Sequence, residues 1–190
     1  YKIEVVDDFL NKEDYKELIS IPTDNVSADK IELYNNEISK DNSIIKDSID
    51  KSIVERLHKN YHHKLIKKLE KLCKEKIKLY DYSELSIIKT GKNYKFPIHD
   101  DIPDKILSCT VYLSPEKNAG TIFYSNKKGE GRKQIEWKPN RAVFFVRNEM
   151  TTWHSYEGDG ISNRITLNYN LKTYKIKDVY KIEKKNYYYG

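Results

Sequence analysis

The segment Phe96-Pro97-Ile98-His99-Asp100-Asp101 decides how this chain is interpreted. His99 and Asp101 are two positions apart, and alternate residues of a β-strand project from the same face. A neutral imidazole and a carboxylate can therefore bind one metal ion. Strand alternation directs Asp100 away from that face, so we interpret it as a solvated carboxylate. Because a His-x-Asp pair alone is more often an ordinary hydrogen-bonded pair, a metal site needs a third ligand.

The third candidate ligand is His154, which follows an apolar segment at 142–146. Two histidines and one carboxylate occupy one face of an octahedral Fe(II) and leave three positions open. Further along the chain, Arg164 and Thr166 also share one strand face. A guanidinium beside a hydroxyl is a good receptor for a carboxylate. A dicarboxylate bound to the metal at one end would need such a receptor for its other end.

Short β-type segments surround these residues, and Gly, Pro and Asn lie in the turns between them. They cover 85–89, 96–101, 107–113, 121–125, 134–137, 142–146, 154–156 and 164–171. Eight such segments predict a sandwich or a jelly roll. Before them, 1–6 read as a strand, a helix starts at Asn11, and apolar residues at helical spacing predict one or two helices over about 43–78. The expected class is α+β, with N-terminal helices supporting the β core.

Length and composition favour one domain. The chain has 190 residues and a formal net charge of +6, with Lys and Glu alternating over much of its length. We interpret the charge as a solvated surface and do not expect nucleic acid as a partner. With no apolar stretch long enough to cross a bilayer and no leader, we expect no membrane partner and a cytoplasmic location. Two cysteines, Cys73 and Cys109, fit a reducing compartment.

The motifs His99-x-Asp101, His154 and Arg164-x-Thr166, spread in this order over short strands, resemble the double-stranded β-helix (jelly-roll) core of the 2-oxoglutarate/Fe(II) dioxygenases, and their prolyl 4-hydroxylase-like branch in particular. The resemblance implies one oxygenase domain over 1–190: a strand and supporting helices in 1–80, the core in 81–172, and a tail in 173–190. We expect that tail to be an edge element or partly disordered.

The resemblance also implies a chemistry. Fe(II), 2-oxoglutarate and O₂ would hydroxylate a peptide side chain or a small molecule, with oxidative decarboxylation of 2-oxoglutarate to succinate and CO₂. His99, Asp101 and His154 would hold the iron. Arg164 and Thr166 would bind the distal carboxylate, together with Tyr112, which matches a family tyrosine on the strand after the His-x-Asp motif.

Two departures from the family pattern limit the choice of substrate. Lys89 replaces a tyrosine of many prolyl hydroxylases, and Asn170 replaces a substrate-facing tryptophan, so proline as substrate is without support. Three alternatives stay open: a nucleic-acid demethylase, whose pattern has a second arginine at the position of Asn170; a non-catalytic jelly-roll module that binds sugars; and a cupin-like enzyme in which Arg164 binds the substrate itself.

The remaining histidines and one tryptophan have simpler interpretations. His58 and His62 are four residues apart on a predicted helix, but the intervening residues lack the glutamate of a zinc-protease helix. We therefore expect these two, and His63, to be exposed to solvent. Trp153 is either a wall of the substrate pocket or a core aromatic.

Overall fold

The structure, a computed structural model, describes residues 1–23 and 25–185. Its elements in chain order are β1 (Glu4–Val6), α1 (Lys12–Ile19), β2 (Ile31–Ser39), β3 (Ile44–Lys46), α2 (Lys51–Cys73), a 3₁₀ helix (Lys74–Leu79), β4 (Tyr82–Thr90), β5 (Lys95–His99), β6 (Lys105–Ser114), β7 (Ile122–Phe123), β8 (Lys133–Gln134), β9 (Ala142–Phe145), β10 (His154–Glu157), β11 (Arg164–Lys172) and α3 (Ile176–Glu183).

The strands form two sheets with antiparallel pairing throughout. The larger sheet has seven strands in the order β1-β9-β6-β11-β4-β2-β3, and the smaller has four in the order β5-β10-β7-β8. Antiparallel sheets with helices packed beside them confirm the α+β prediction. None of the described helices has the length and apolar character that crossing a bilayer requires.

Strand β11 shows how the larger sheet separates a core from a cavity. It lies between β4 and β6, and its residues alternate between two environments. Ile165, Leu167, Tyr169 and Leu171 are fully buried in the main hydrophobic core. Arg164, Thr166, Asn168 and Asn170 line a cavity on the opposite side. Burying each large apolar side chain contributes about 1.5–3 kcal/mol, so the core side stabilises the fold while the other side is available for polar groups.

Helix α2 covers the core side of the larger sheet. Asp50 caps its N-terminus by accepting from the Ser52 backbone N–H at 2.8 Å. Of the apolar residues at helical spacing that predicted this helix, Leu57, Tyr61, Leu65 and Leu69 are buried, whereas Ile53 and Leu72 are only partly buried. The predicted start at residue 43 is wrong, because residues 44–46 form β3, where Ile44 pairs with Ile38 of β2.

Strand β2 lies in a stretch to which the sequence analysis assigned no strand or helix. Asn36, in its middle, is fully buried. Its Nδ2 donates to the Leu85 carbonyl at 3.0 Å, and its Oδ1 accepts from the Ser48 and Ile49 backbone N–H groups at 2.7 and 3.0 Å. Because these partners satisfy its hydrogen bonds, a polar residue can occupy a buried position of the strand. The sequence of β2 therefore lacks the apolar alternation that would have predicted a strand.

The region after β11 contains a helix where the sequence predicted an edge element or a partly disordered tail. Helix α3 buries Val179 and Tyr180 against the rest of the chain. The final Tyr-Tyr-Tyr-Gly at 187–190 lies outside the described residues, so the expectation for that stretch stays a prediction.

Candidate metal and anion site

The structure brings the three predicted metal ligands together. His99 ends β5, His154 begins β10, and the two are cross-strand partners. Asp101 Oδ1 lies 3.7 Å from His99 Nε2 and 3.6 Å from His154 Nε2. Two ligand atoms about 2.1 Å from one ion can be at most twice that distance apart, so one ion can bind Asp101 together with either histidine, and all three ligand atoms lie within 4.8 Å of one another. Within residues 1–23 and 25–185, this is the one group of three potential ligands close enough to share an ion.

Hydrogen bonds orient both imidazoles toward the shared position. His99 Nδ1 lies 2.8 Å from the Pro97 carbonyl oxygen, and His154 Nδ1 lies 2.9 Å from the Thr152 carbonyl oxygen. A carbonyl can only accept, so each Nδ1 carries the proton and each Nε2 presents a lone pair toward Asp101. Ser108 Oγ donates to Asp101 Oδ2 at 3.1 Å, which holds the carboxylate with Oδ1 toward the histidines.

Burial and neighbouring charges set the protonation states of Asp101 and His154. Burial acts to raise the pKa of Asp101, but the Lys105 ammonium, 3.1 Å from Oδ1, and the two imidazoles outweigh it and hold the pKa well below its usual range. Burial lowers the pKa of His154. The carboxylate is therefore ionised and the imidazole neutral at neutral pH, as metal binding requires. Lys105, at the start of β6, was not identified from the sequence.

Asp100 is not the solvated carboxylate that strand alternation predicted. Its Oδ2 accepts from the Met150 backbone N–H at 2.8 Å, and its Oδ1 accepts from the Thr152 hydroxyl. Asp100 therefore ties the segment that carries two ligands to the segment that leads into His154. This role could not be predicted from the sequence, because both partners come from a loop some fifty residues away.

Arg164 lies in the same cavity and is only 7% exposed. Its Nη1 donates to the Ala119 carbonyl at 2.9 Å, and its Nε has no hydrogen-bond partner in the described structure. The guanidinium carbon lies 3.2 Å from the centroid of the Tyr156 ring. No carboxylate of the described residues pairs with it, and burial lowers the pKa of Arg164 to about 10. An unpaired buried cation is costly, so this arrangement favours an anionic ligand.

Thr166 and Tyr112, the other two predicted receptor residues, are cross-strand partners on β11 and β6. Thr166 is 2% exposed and lines the cavity beside Arg164. Tyr112 is fully buried; its hydroxyl donates to Thr121 Oγ1 at 3.0 Å and accepts from the Thr121 backbone N–H at 2.8 Å. Thr121 lines the cavity in its place. Contact between Tyr112 and a bound carboxylate therefore stays a prediction that requires its hydroxyl to turn away from Thr121 Oγ1.

Tyr156 is a cavity residue that the sequence analysis missed. It follows His154 by two positions, its ring packs under Arg164, and its hydroxyl has no partner within the described residues. The alternation that selected His99 and Asp101 would have found it. Lys89, in contrast, lies on the core side of β4, opposite Ile165, with its ammonium 5.3 Å from the Tyr34 ring. It cannot replace Arg164 as the cation of this cavity.

The cavity has a volume of about 390 Å³ and an apolar mouth. Leu33, Phe96 and Ile102 line it and are 58%, 40% and 62% exposed. Trp153 is 7% exposed, lies outside the lining, and donates from Nε1 to the Met150 carbonyl at 3.1 Å. Of the two interpretations of Trp153, the structure supports the core aromatic.

The histidines of α2 differ from the expectation in part. His58 is 7% exposed, so the prediction that it faces solvent is wrong. Its Nε2 lies 3.1 Å from Asn42 Oδ1, and its ring stacks on that of His62 with the centroids 4.5 Å apart. His62 is half-buried, whereas His63 is exposed as predicted.

Comparison with known proteins adds evidence on the fold. No protein-family model matches the sequence, and no curated protein is similar to it. A prolyl-4-hydroxylase from Pseudomonas putida superimposes with a TM-score of 0.61 at 11% identity, over 90% of this chain and 92% of the other. For IDO from Bacillus thuringiensis the TM-score is 0.59 at 13% identity, over 91% and 90% of the two chains.

A third similar structure is a prolyl hydroxylase from Trichoplax adhaerens in complex with a peptide fragment of the hypoxia inducible factor oxygen degradation domain. Its TM-score is 0.53 at 13% identity, over 93% of this chain and 86% of the other. At such identities the likeness establishes the fold and not the activity. The chain therefore has the fold of the prolyl hydroxylase-like 2-oxoglutarate dioxygenases.

Proposed function

We propose that this chain is a 2-oxoglutarate- and Fe(II)-dependent dioxygenase that hydroxylates a peptide side chain or a small molecule. One observation carries the proposal: a set of two histidines and one carboxylate shares a cavity with a buried arginine that has no counter-ion among the described residues. A metal alone would explain only the first feature, and an anion-binding pocket alone would explain only the second. A chelating dicarboxylate accounts for both.

Each residue has a distinct role in this proposal. His99, Asp101 and His154 would hold Fe(II), and Arg164 with Thr166 and Tyr112 would bind the distal carboxylate. Iron with 2-oxoglutarate and O₂ supplies oxidative decarboxylation to succinate and CO₂ and the insertion of oxygen into a C–H bond. The two sheets would form the double-stranded β-helix core of a single oxygenase domain over residues 1–190.

The chain's own contribution is to orient its ligands and limit access of water. Hydrogen bonds to Pro97 and Thr152 fix both imidazoles, and Ser108 fixes the carboxylate. The interior position of Arg164 keeps its charge poorly solvated, so an anion is bound more tightly there than on the surface. Positioning of this kind reduces the entropy lost on binding and on reaching the reactive geometry.

Features of the mouth support a substrate with an apolar part. Exposed Leu33, Phe96 and Ile102 surround it. The similar structure from Trichoplax holds a peptide, which supports a peptide as one substrate class. Asn170 accepts from the Cys109 backbone N–H at 3.2 Å and donates to Glu84 at 3.2 Å, so its amide is already engaged. It provides neither the arginine of a nucleic-acid demethylase nor the tryptophan of a prolyl hydroxylase.

The test of the function is metal-dependent turnover of 2-oxoglutarate without added substrate, measured as succinate. Wild type should bind one Fe(II) per chain and form succinate slowly when O₂ is admitted. His154→Ala should do neither, whereas His63→Ala, which alters an exposed histidine of α2, should behave as wild type. One bound metal but no binding of 2-oxoglutarate would favour a cupin-like enzyme. The absence of metal binding would favour a non-catalytic module.

A further inference from the structure

A cluster of four charged side chains, three of them buried, lies behind the metal ligands. We call it the charge cluster; its members are Lys76 of the 3₁₀ helix, Arg147 and Glu149 after β9, and Glu183 of α3. Arg147 Nη1 lies 3.0 and 3.1 Å from the two carboxylate oxygens of Glu183. Lys76 Nζ donates to Glu183 Oε1 at 2.7 Å and to the Arg147 carbonyl at 2.6 Å. Arg147 is 2% exposed and Lys76 is 1% exposed.

The charge cluster is bonded directly to a candidate metal ligand. Arg147 Nε donates to the backbone carbonyl of Asp101 at 2.5 Å. The remaining nitrogen of the guanidinium pairs with Glu149, whose backbone N–H in turn donates to Glu183 Oε2 at 3.2 Å. Every guanidinium nitrogen therefore has a partner, and the direction of the bond to Asp101 is fixed by groups outside the cavity.

A second link joins the same two segments. The Asp100 carboxylate accepts from Met150 and Thr152, and Thr152 precedes His154 by two positions and offers its carbonyl to His154 Nδ1. Residues 147–152 are thus bonded to the ligand segment at both Asp100 and Asp101. Since those bonds connect the strand ends that carry all three metal ligands, they set the distance between the carboxylate and the second imidazole.

We propose that Arg147, held in place by Glu183 of α3, is a positioning residue for the metal site. The proposal rests on the proposed function for the identity of the metal. Groups that orient metal ligands typically change metal affinity by about 10- to 100-fold when they are altered. Burying Lys76, Arg147 and Glu183 also brings a desolvation cost that apolar packing would avoid, so a role in fixing ligand geometry gives a reason for this arrangement.

The test compares metal affinity with stability in the same variants. Glu183→Gln removes the charge that holds Arg147, and Arg147→Lys cannot span Asp101, Glu149 and Glu183 together. Arg141→Lys is the matched control, because Arg141 also forms a two-pronged pair, with Asp7 at 2.7 and 3.2 Å, at the start of β9. Mn²⁺ affinity is measured from the electron paramagnetic resonance of free Mn²⁺, and Co²⁺ absorption reports ligand geometry. Urea unfolding of the apoprotein defines conditions in which every variant is folded.

We expect Glu183→Gln and Arg147→Lys to bind Mn²⁺ about 10- to 100-fold more weakly than wild type and to alter the Co²⁺ spectrum, with Arg141→Lys unchanged. If Arg147→Lys does not fold, Asp100→Asn takes its place with the same expectation. Variants that lose stability but keep wild-type Mn²⁺ affinity and Co²⁺ spectrum would overturn the positioning role and leave the proposed function intact. A wild type that binds no divalent metal would overturn the proposed function, and this inference with it.

Discussion

Replacement of Arg164 separates a 2-oxoglutarate oxygenase from other enzymes with a similar metal site. Arg164 is 7% exposed, has no carboxylate partner in the described part of the chain, and keeps Nε free of hydrogen bonds. A ligand carboxylate bound there would form a buried charge pair, and truncating one member of such a pair costs about 2–5 kcal/mol. We therefore expect Arg164→Ala to weaken 2-oxoglutarate binding by roughly thirty-fold to several thousand-fold. Iron binding should not change.

The assay is an anaerobic titration of 2-oxoglutarate into Fe(II)-loaded protein, followed by the metal-to-ligand absorption of the chelate. Arg164→Lys should recover only part of the loss, because an ammonium cannot reproduce a two-pronged contact. If Arg164→Ala binds 2-oxoglutarate as tightly as wild type while His154→Ala does not bind it, the receptor is misassigned. Lys105, the other cation that lines the cavity, would then be tested next.

Replacing His99 or His154 with alanine should abolish tight binding of Fe(II) or Mn²⁺, and unchanged stoichiometry by elemental analysis would exclude them as ligands. Lys105→Met should tighten Mn²⁺ binding, by roughly tenfold, because it removes a cation 3.1 Å from the ligand carboxylate; calorimetry showing weaker binding would contradict this. Burial lowers the pKa of His58 from 6.5 to about 4. Between these two pH values the histidine is protonated in the unfolded chain but neutral in the folded one. The free energy of unfolding should therefore decrease by up to about 3 kcal/mol as the pH falls from 6.5 to 4. Urea unfolding at several pH values should show this loss of stability in wild type and a smaller loss in His58→Gln. Any DNA binding should be weak and its affinity should fall steeply with salt concentration. A sequence-selective complex at physiological salt would refute the interpretation of the positive charge as a solvated surface.

The β core could be predicted because its signal is local. Turn residues separate its short strands, and a strand period of two places His99 with Asp101 and Arg164 with Thr166 wherever the strand lies in the fold. The same rule failed for Asp100. Strand alternation correctly predicts that the Asp100 side chain points away from the metal ligands. It does not predict that Met150 and Thr152 donate hydrogen bonds to the Asp100 carboxylate.

Errors in the first half of the chain have a common physical origin. Asn36 reads as a loop residue, yet it is buried because partners in β4 and in the segment before α2 satisfy its amide. His58 reads as an exposed residue on a lysine-rich helix, yet Asn42 and His62 cover it. In both cases, tertiary contacts override the preference of the isolated residue, and a single sequence does not show them.

The interactions that support the metal ligands are harder to predict than the ligands themselves. A metal ligand must be one of a few residue types at a restricted spacing, so it leaves a signature. The acceptor for Arg147 is the main-chain carbonyl of Asp101, a group that every residue has. Its anchor, Glu183, lies 36 positions further along, in a helix whose Lys- and Tyr-rich surroundings favoured a tail. Only the folded structure shows that α3, which follows the β core, contacts the residue that is bonded to Asp101. The metal affinity of Glu183→Gln therefore tests whether this distant helix supports the metal ligands.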